Sequence, residues 1–174
     1  QLTVADLPSE AVVGGFNNAA EAQAPADLRI ARTQRIAQQL AERLTDTDEH
    51  LSRWSGCQRF RTLNEQRACV ETLITGTARR FFRRPLTDDE ASRLRSRFSQ
   101  WQAQSDFTGA CQILTEWLLQ CSQFVYRPET ESTFDGYARA TRLALLVWNS
   151  VPDDALLTAA ANHELDTREG LVRH

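Results

Sequence analysis

The feature that most constrains this chain is the spacing of its apolar residues. Phe107, Cys111, Leu114, Trp117, Leu118 and Cys121 recur at three- and four-residue intervals. That period gathers side chains on one face of an α-helix. The same rhythm returns at Ile36, Leu40 and Leu44 with Ala37 and Ala41 beside them, and at Val70, Leu73, Ile74, Thr77, Ala78 and Phe81. It recurs at Ala91, Leu94, Phe98 and Trp101, and again at Tyr137, Ala140, Ala144, Val147 and Trp148. Period-two alternation, the signature of a half-buried strand, is nearly absent. The expectation is an all-α fold, an irregular bundle of about six to seven helices after an irregular N-terminal segment.

Turn and cap residues divide the chain. Pro8, Gly14-Gly15, Asn17-Asn18 and Pro25 punctuate residues 1–25, with Val12, Val13 and Phe16 as the expected anchors onto the core. A helical pattern runs from Ala26 to the polar stretch Thr45–Glu49. Residues 46–63 read as a loop holding Trp54, Gly56, Cys57 and Phe60. Asn64 is the expected N-cap of the next helix, with Glu65 at its positive end. Pro85 stops that helix by pushing its predecessor out of the helical region. Thr87 and Glu90 then form a capping box. Ser105 or Asp106 caps the helix carrying the Phe107–Cys121 stripe, and residues 124–133 form a linker around Pro128. A helix from about Asp135 to Asn149 follows, then Ser150 as the cap of a short helix over Ala155–Asn162, and a last helix from Asp166. The expected divisions are residues 1–50, a central three-helix unit over 51–127, and a third helical unit over 134–174.

Composition excludes several classes. A chain of 174 residues buries roughly 70% of its unfolded surface, enough for a core. Apolar residues make up 41% and charged residues 25%, an ordinary globular balance rather than that of a disordered chain. The net charge of −3 argues against nucleic acid as a partner. No apolar run approaches the ~20 residues of a membrane span. All 20 basic residues are Arg, so Schiff-base lysine chemistry and a Walker-type phosphate lysine are excluded. There is no Met, and Gln1 reads as a processed or trimmed end.

The four cysteines, Cys57, Cys69, Cys111 and Cys121, form no C-x-x-C or C-x-x-C-H pattern. Covalent haem attachment and a zinc knuckle are therefore not expected in this chain. A bridge from Cys57 to Cys69 would close a short loop and add about 2–3 kcal/mol. Cys111 and Cys121 fall on one helix about 15 Å apart, beyond the ~4.4–6.8 Å a disulfide allows. Buried free thiols are the plain alternative to pairing.

The strongest charge feature is Arg79-Arg80-Phe81-Phe82-Arg83-Arg84. Arg79, Arg80, Arg83 and Arg84 have the chemistry to grip phosphate, sulfate, haem propionates or an acidic partner through bidentate guanidinium contacts. The plainer reading turns Phe81 and Phe82 inward and leaves the arginines to offset a helix C-terminus and pair with Asp88, Asp89 and Glu90. Those three acids, and Asp153-Asp154, sit in first helical turns, where carboxylates are favoured without catalysis. His50, His163 and His174 belong to no recognisable catalytic or zinc motif, so no catalytic or metal-ligating residue is assigned. His163 and His174 retain the capacity to ligate a haem iron held elsewhere. Trp101, Trp117 and Trp148 lie on apolar stripes and are expected in the core. Trp54, in the cysteine loop, is the tryptophan expected to be exposed or to meet a partner.

Three stretches carry a resemblance. They are Gly15-Phe16-Asn17-Asn18-Ala19-Ala20 with the helix after it; Cys57, Cys69 and Ala78–Glu90 through to Phe124-Val125-Tyr126-Arg127; and Leu146–Leu157. In this order they resemble the helical domains of unknown function in planctomycete- and myxobacterial-type secreted, cytochrome c-associated multidomain proteins. The resemblance implies a periplasmic or extracellular setting, a Cys57–Cys69 disulfide and an electron-transfer context. It supplies no catalytic residues. Any c-type haem would sit on a partner or on a domain beyond this sequence, because the chain has no haem-attachment motif of its own. Cys111 and Cys121 are not part of the resemblance. The third domain is only begun at His174, which suggests a fragment, a cleaved chain or one piece of a larger assembly.

The expected function is thus a non-catalytic structural or interaction module, with other domains or chains of an assembly as partners and no cofactor of its own. The alternative is a part of the substrate cleft of a secreted oxidoreductase or polymer-acting enzyme, lined by Arg79–Arg84. A plain binding module for an anionic ligand is the third reading.

Overall fold

The computed structural model describes residues 27–57, 62–126 and 135–174, all of it helices and their connections with no strand among the described residues. The N-terminal anchors Val12, Val13 and Phe16, the first stretch of the resemblance, Phe60, Arg127 and Pro128 lie outside the described residues.

Helix α1 spans Asp27–Thr45. Its deepest residues are Ala37, Ala41 and Thr45, spaced four apart, whereas Ile36, Leu40 and Leu44 are only half-buried. Small side chains along the contact let α1 lie close along helix α6, its principal neighbour. Thr45 is buried because its hydroxyl donates to the Ala41 carbonyl at 2.9 Å, leaving no unsatisfied donor.

The expected loop over residues 46–63 instead contains helix α2, Asp48–Ser55. The Thr47 hydroxyl accepts from the His50 amide, Asp48 and Glu49 fill the first turn, and Gly56 closes the helix at φ 69°. Polar caps at both ends make a helix from a stretch whose composition reads as loop. Trp54, expected to be exposed or to meet a partner, is consequently half-buried against the core.

Helix α3, Leu63–Thr72, is capped by Thr62 rather than Asn64, and Glu65 completes a capping box. It runs into a π-helical turn, Leu73–Thr77, and then helix α4, Ala78–Phe82. The Ala78 amide reaches back to the Leu73 carbonyl, five residues away. In an unbroken α-helix Leu73 shares a face with Thr77 and Arg80. The extra residue rotates the next turn of helix about its axis, so Leu73, Ile74, Ala78 and Phe82 are all buried while Arg80 faces outward.

Helix α5, Asp88–Gln104, begins at the expected Thr87–Glu90 box. Helix α6, Phe107–Gln120, begins at Asp106, whose carboxylate accepts from the Gly109 amide at 2.7 Å. Its stripe lies inside as expected: Phe107, Cys111, Leu114 and Leu118 are buried, Cys121 just past the helix is buried, and Trp117 is half-buried. Phe98 of α5 meets Phe107 edge-on at 5.8 Å between ring centres, a contact worth about 0.5–1.5 kcal/mol beyond its area. A short helix α7, Ser122–Val125, follows directly.

The remaining helices build a second core. Helix α8 is Gly136–Trp148, capped by Asp135. Helix α9 is Asp154–Ala161, capped by Asp153 rather than Ser150. A 3₁₀ turn, Glu164–Asp166, and helix α10, Arg168–Arg173, capped by Thr167, replace the single helix expected from Asp166. Ala140 and Ala144 pack with Leu156, Ala159, Ala160 and Leu165, flanked by Tyr137, Leu143 and Leu171. At Gly136 a Cβ would stand 3.0 Å from the Ala160 carbonyl oxygen. Val147 and Trp148, expected on the buried stripe, are exposed with Leu146 and Val151. The alanines, not the large residues, face α9, because only small side chains fit so close an approach.

Candidate functional site: the arginine run

Each arginine of the Arg79–Arg84 run has its own surroundings. Arg80, on α4, reaches Asp154 at the start of α9, with Nη2 2.5 Å from Oδ2 and Nε 3.4 Å from Oδ1. Both side chains are exposed. The hydrogen bond from Arg80, aided by its charge, holds the Asp154 carboxyl below its ordinary range.

Arg83 ends α4 in the left-handed region at φ 57°. From there its guanidinium donates to the carbonyls of Gln123, Phe124 and Tyr126 at 2.7, 3.2 and 3.1 Å. These carbonyls belong to α7 and the residue after it, so Arg83 ties α4 to the end of the central unit. Phe81 lies 5.3 Å from Phe124 between ring centres in the same junction.

Arg84 forms a fork with Glu90, both contacts 2.8 Å, and its guanidinium stands 5.5 Å from the centre of the Phe82 ring. The Glu90 carboxyl is pulled down to about 2 by the Arg84 hydrogen bonds, reinforced by those from Thr87 and opposed by burial. Arg79 is half-buried, and its Nε is buried without a hydrogen-bond partner among the described residues.

The other candidate residues lie apart from this run. Trp54 packs on the core from α2. The Cys57–Cys69 disulfide is formed, with Cα atoms 5.5 Å apart, and fastens the end of α2 to α3. Cys111 and Cys121 are free and buried. Burial, with Asp106 nearby, pushes the Cys111 thiol up to about 12; burial also raises Cys121. Neither thiol is a ready nucleophile.

The histidines face carboxylates: His50 to Asp46 at 2.6 Å, His163 to Asp166 at 3.0 Å, and His174 to Glu164 at 2.9 Å. No group of three or more His, Cys, Asp or Glu among the described residues is arranged to hold a metal ion. Asp88, Asp89 and Glu90 occupy the first turn of α5, as their position in the sequence suggests. A cavity of about 420 Å³ lies between α3 and α5, lined by Val70, Phe98, Arg67, Glu71 and Arg95 among others. It does not include the arginine run. Arg95 and Glu71, on its lining, form a fork at 2.7 and 2.8 Å.

Two features of this region escape the sequence. The Arg80–Asp154 pair joins residues 74 positions apart, which no local pattern announces. The π-helical turn has only Gly76 among threonines as its signal.

No helix among the described residues is long and apolar enough to cross a membrane. Residues 69–129 match the family model described as PSD5: Protein of unknown function (DUF1595). Residues 134–174 match the model described as PSD4: Protein of unknown function (DUF1592). No curated protein and no solved structure matches the chain. The first stretch contains most of the larger core and the second contains the smaller one, so these parts of the chain are similar to two helical domains of unknown function.

Proposed function

We propose that this chain is a non-catalytic helical structural or interaction module of a secreted, c-type cytochrome-associated multidomain protein, positioning a redox domain or partner. The observation that carries the non-catalytic reading is the use of the arginines. Arg80, Arg83 and Arg84, three of the four arginines of the run, are engaged by Asp154, by three backbone carbonyls and by Glu90. A substrate cleft needs donors aimed at the substrate, and these are aimed at the protein. The disulfide supports an oxidising compartment, periplasmic or extracellular. The cytochrome context is supported by the sequence resemblance, and the two family models agree with its helical domains of unknown function.

The test is purification of the native material with an intact mass and a visible spectrum. The expected result is no haem absorbance from this polypeptide itself and a haem-bearing chain or domain accompanying it. Recovery of the native protein with no such companion refutes the reading. The cleft alternative predicts that replacing Arg80 and Arg83 with Ala in the full-length protein removes an activity while leaving assembly intact.

A further inference from the structure

The two hydrophobic clusters share no residue. One runs from Cys69 to Cys121 with its flanking side chains, and the other lies within α8, α9 and the 3₁₀ turn. The arginine run stands at the edge of the first. Acidic residues stand at the starts of the second unit's two longer helices, with Asp135 capping α8, Asp153 capping α9 and Asp154 in the first turn of α9. Arg80 and Asp154 meet across this junction in a two-point contact. Arg79 also attracts Asp154, and Asp135 attracts Arg84.

From this geometry we propose that the Arg80–Asp154 pair is an electrostatic pin setting the angle between the central unit and the α8–α10 unit. The inference goes beyond the module reading and does not depend on it. Position along α9 favours it. Asp154 and Leu157 are three residues apart and share a face of that helix. Leu157 is fully buried without joining either cluster. An apolar contact alone is non-directional. A fork between a guanidinium and a carboxylate fixes orientation as well as distance. The π-helical turn supplies the other half of the geometry by turning Arg80 outward while Ala78 and Phe82 stay inside. An exposed pair is also weak and screened by salt, so the angle becomes sensitive to ionic strength.

The experiment places two dyes on the full chain, at Ser96→Cys on α5 and Ala161→Cys on α9. Both positions are exposed, and the free thiols Cys111 and Cys121 are buried. Time-resolved energy transfer then reads the distance distribution between the units. Asp154→Arg should broaden and shift the distribution, raising the displaced fraction by roughly two- to fivefold. Transfer to 1 M salt should move the wild-type chain the same way, because the screening length falls to about 3 Å. The charge swap Arg80→Asp with Asp154→Arg should restore the original distribution, which a variant with a folding defect would not do. An unchanged distribution in both Asp154→Arg and high salt overturns the proposal. Broadening that the swap fails to rescue overturns it as well.

Discussion

Glu90 performs three tasks at once, and removing it tests how they combine. Its carboxylate accepts from the Thr87 amide at 2.9 Å, completing the capping box of α5. It holds the Arg84 guanidinium by two bonds of 2.8 Å. It also places negative charge in the first helical turn. The lost box contact costs about 0.5–1 kcal/mol. The lost charge at the helix start costs about 0.3–1 kcal/mol. The fork costs about 1–2 kcal/mol, discounted because Arg84 keeps about a third of its side chain in solvent. Glu90→Ala should therefore lower unfolding stability by about 2–4 kcal/mol, read from urea denaturation at pH 7 with an unchanged m value. A loss below about 0.5 kcal/mol would refute the account of this corner.

The same residue predicts a pH dependence. The Glu90 carboxyl falls from 4.5 to about 2 in the folded chain. A group whose folded pKa is depressed contributes stability that is complete above its unfolded pKa. That stability drains away as pH falls through the folded value. The shift from 4.5 to about 2 is worth about 3 kcal/mol at full strength, and solvent screening of the partly exposed pair reduces it to about 1–2 kcal/mol. The stability difference between wild type and Glu90→Gln should be constant above the unfolded carboxyl range and shrink steadily toward the folded value. A difference that stays flat through the whole acid range would show that charge is not what Glu90 contributes.

Other perturbations have equally definite outcomes. Reducing the Cys57–Cys69 bridge, which closes a separation of 12 residues, should cost about 3 kcal/mol on the chain-entropy account. Equal melting temperatures with and without a phosphine reductant would contradict that. Gly170→Ala should destabilise the end of the chain by about 1–3 kcal/mol, because its Cβ would collide with the Glu164 carbonyl oxygen. Hydrogen exchange of the α10 amides reads the effect. Ellman's reagent at mild alkaline pH should leave both free thiols unlabelled in the native chain and titrate two per chain after denaturation, since Cys111 and Cys121 are buried.

Much of this architecture is legible in the chain because the signals are local. Thr87 and Glu90 are three residues apart, and the α6 stripe repeats every three or four residues. Both survive into the structure unchanged. The misread places are those where small or polar residues do the packing. Helix α2 looks like a loop because the stretch from Thr45 to Glu49 is polar, and here Thr47 caps the helix while Asp48 and Glu49 fill its first turn. On α8 the large residues Val147 and Trp148 dominate the apolar pattern. The deepest α8 positions of the smaller core are instead Ala140 and Ala144, and Gly136 makes the closest approach to α9. Hydrophobic size is a poor guide to depth wherever two helices nearly touch.

The arginine run shows why motif chemistry alone does not fix a function. Four guanidinium groups in six residues have the chemistry of an anion site, and on a plain α-helix they would spread around the axis. One extra residue in the turn before them changes what each one meets. The π-helical turn keeps Leu73, Ala78 and Phe82 on one buried line, and Arg80 thereby faces Asp154. Arg83, by adopting a left-handed backbone, leaves the helix and reaches the carbonyls at the end of α7. Arg84 is then carried back toward Glu90, whose own position is fixed by the Thr87 cap. Three arginines thus become three different joints, to the second unit, to α7 and to α5, and the choice among them is made by backbone geometry rather than by the arginines themselves. A chain with the same run but an uninterrupted helix before it would bury a guanidinium or expose Leu73, so the π turn is the element on which both the core and the joints depend.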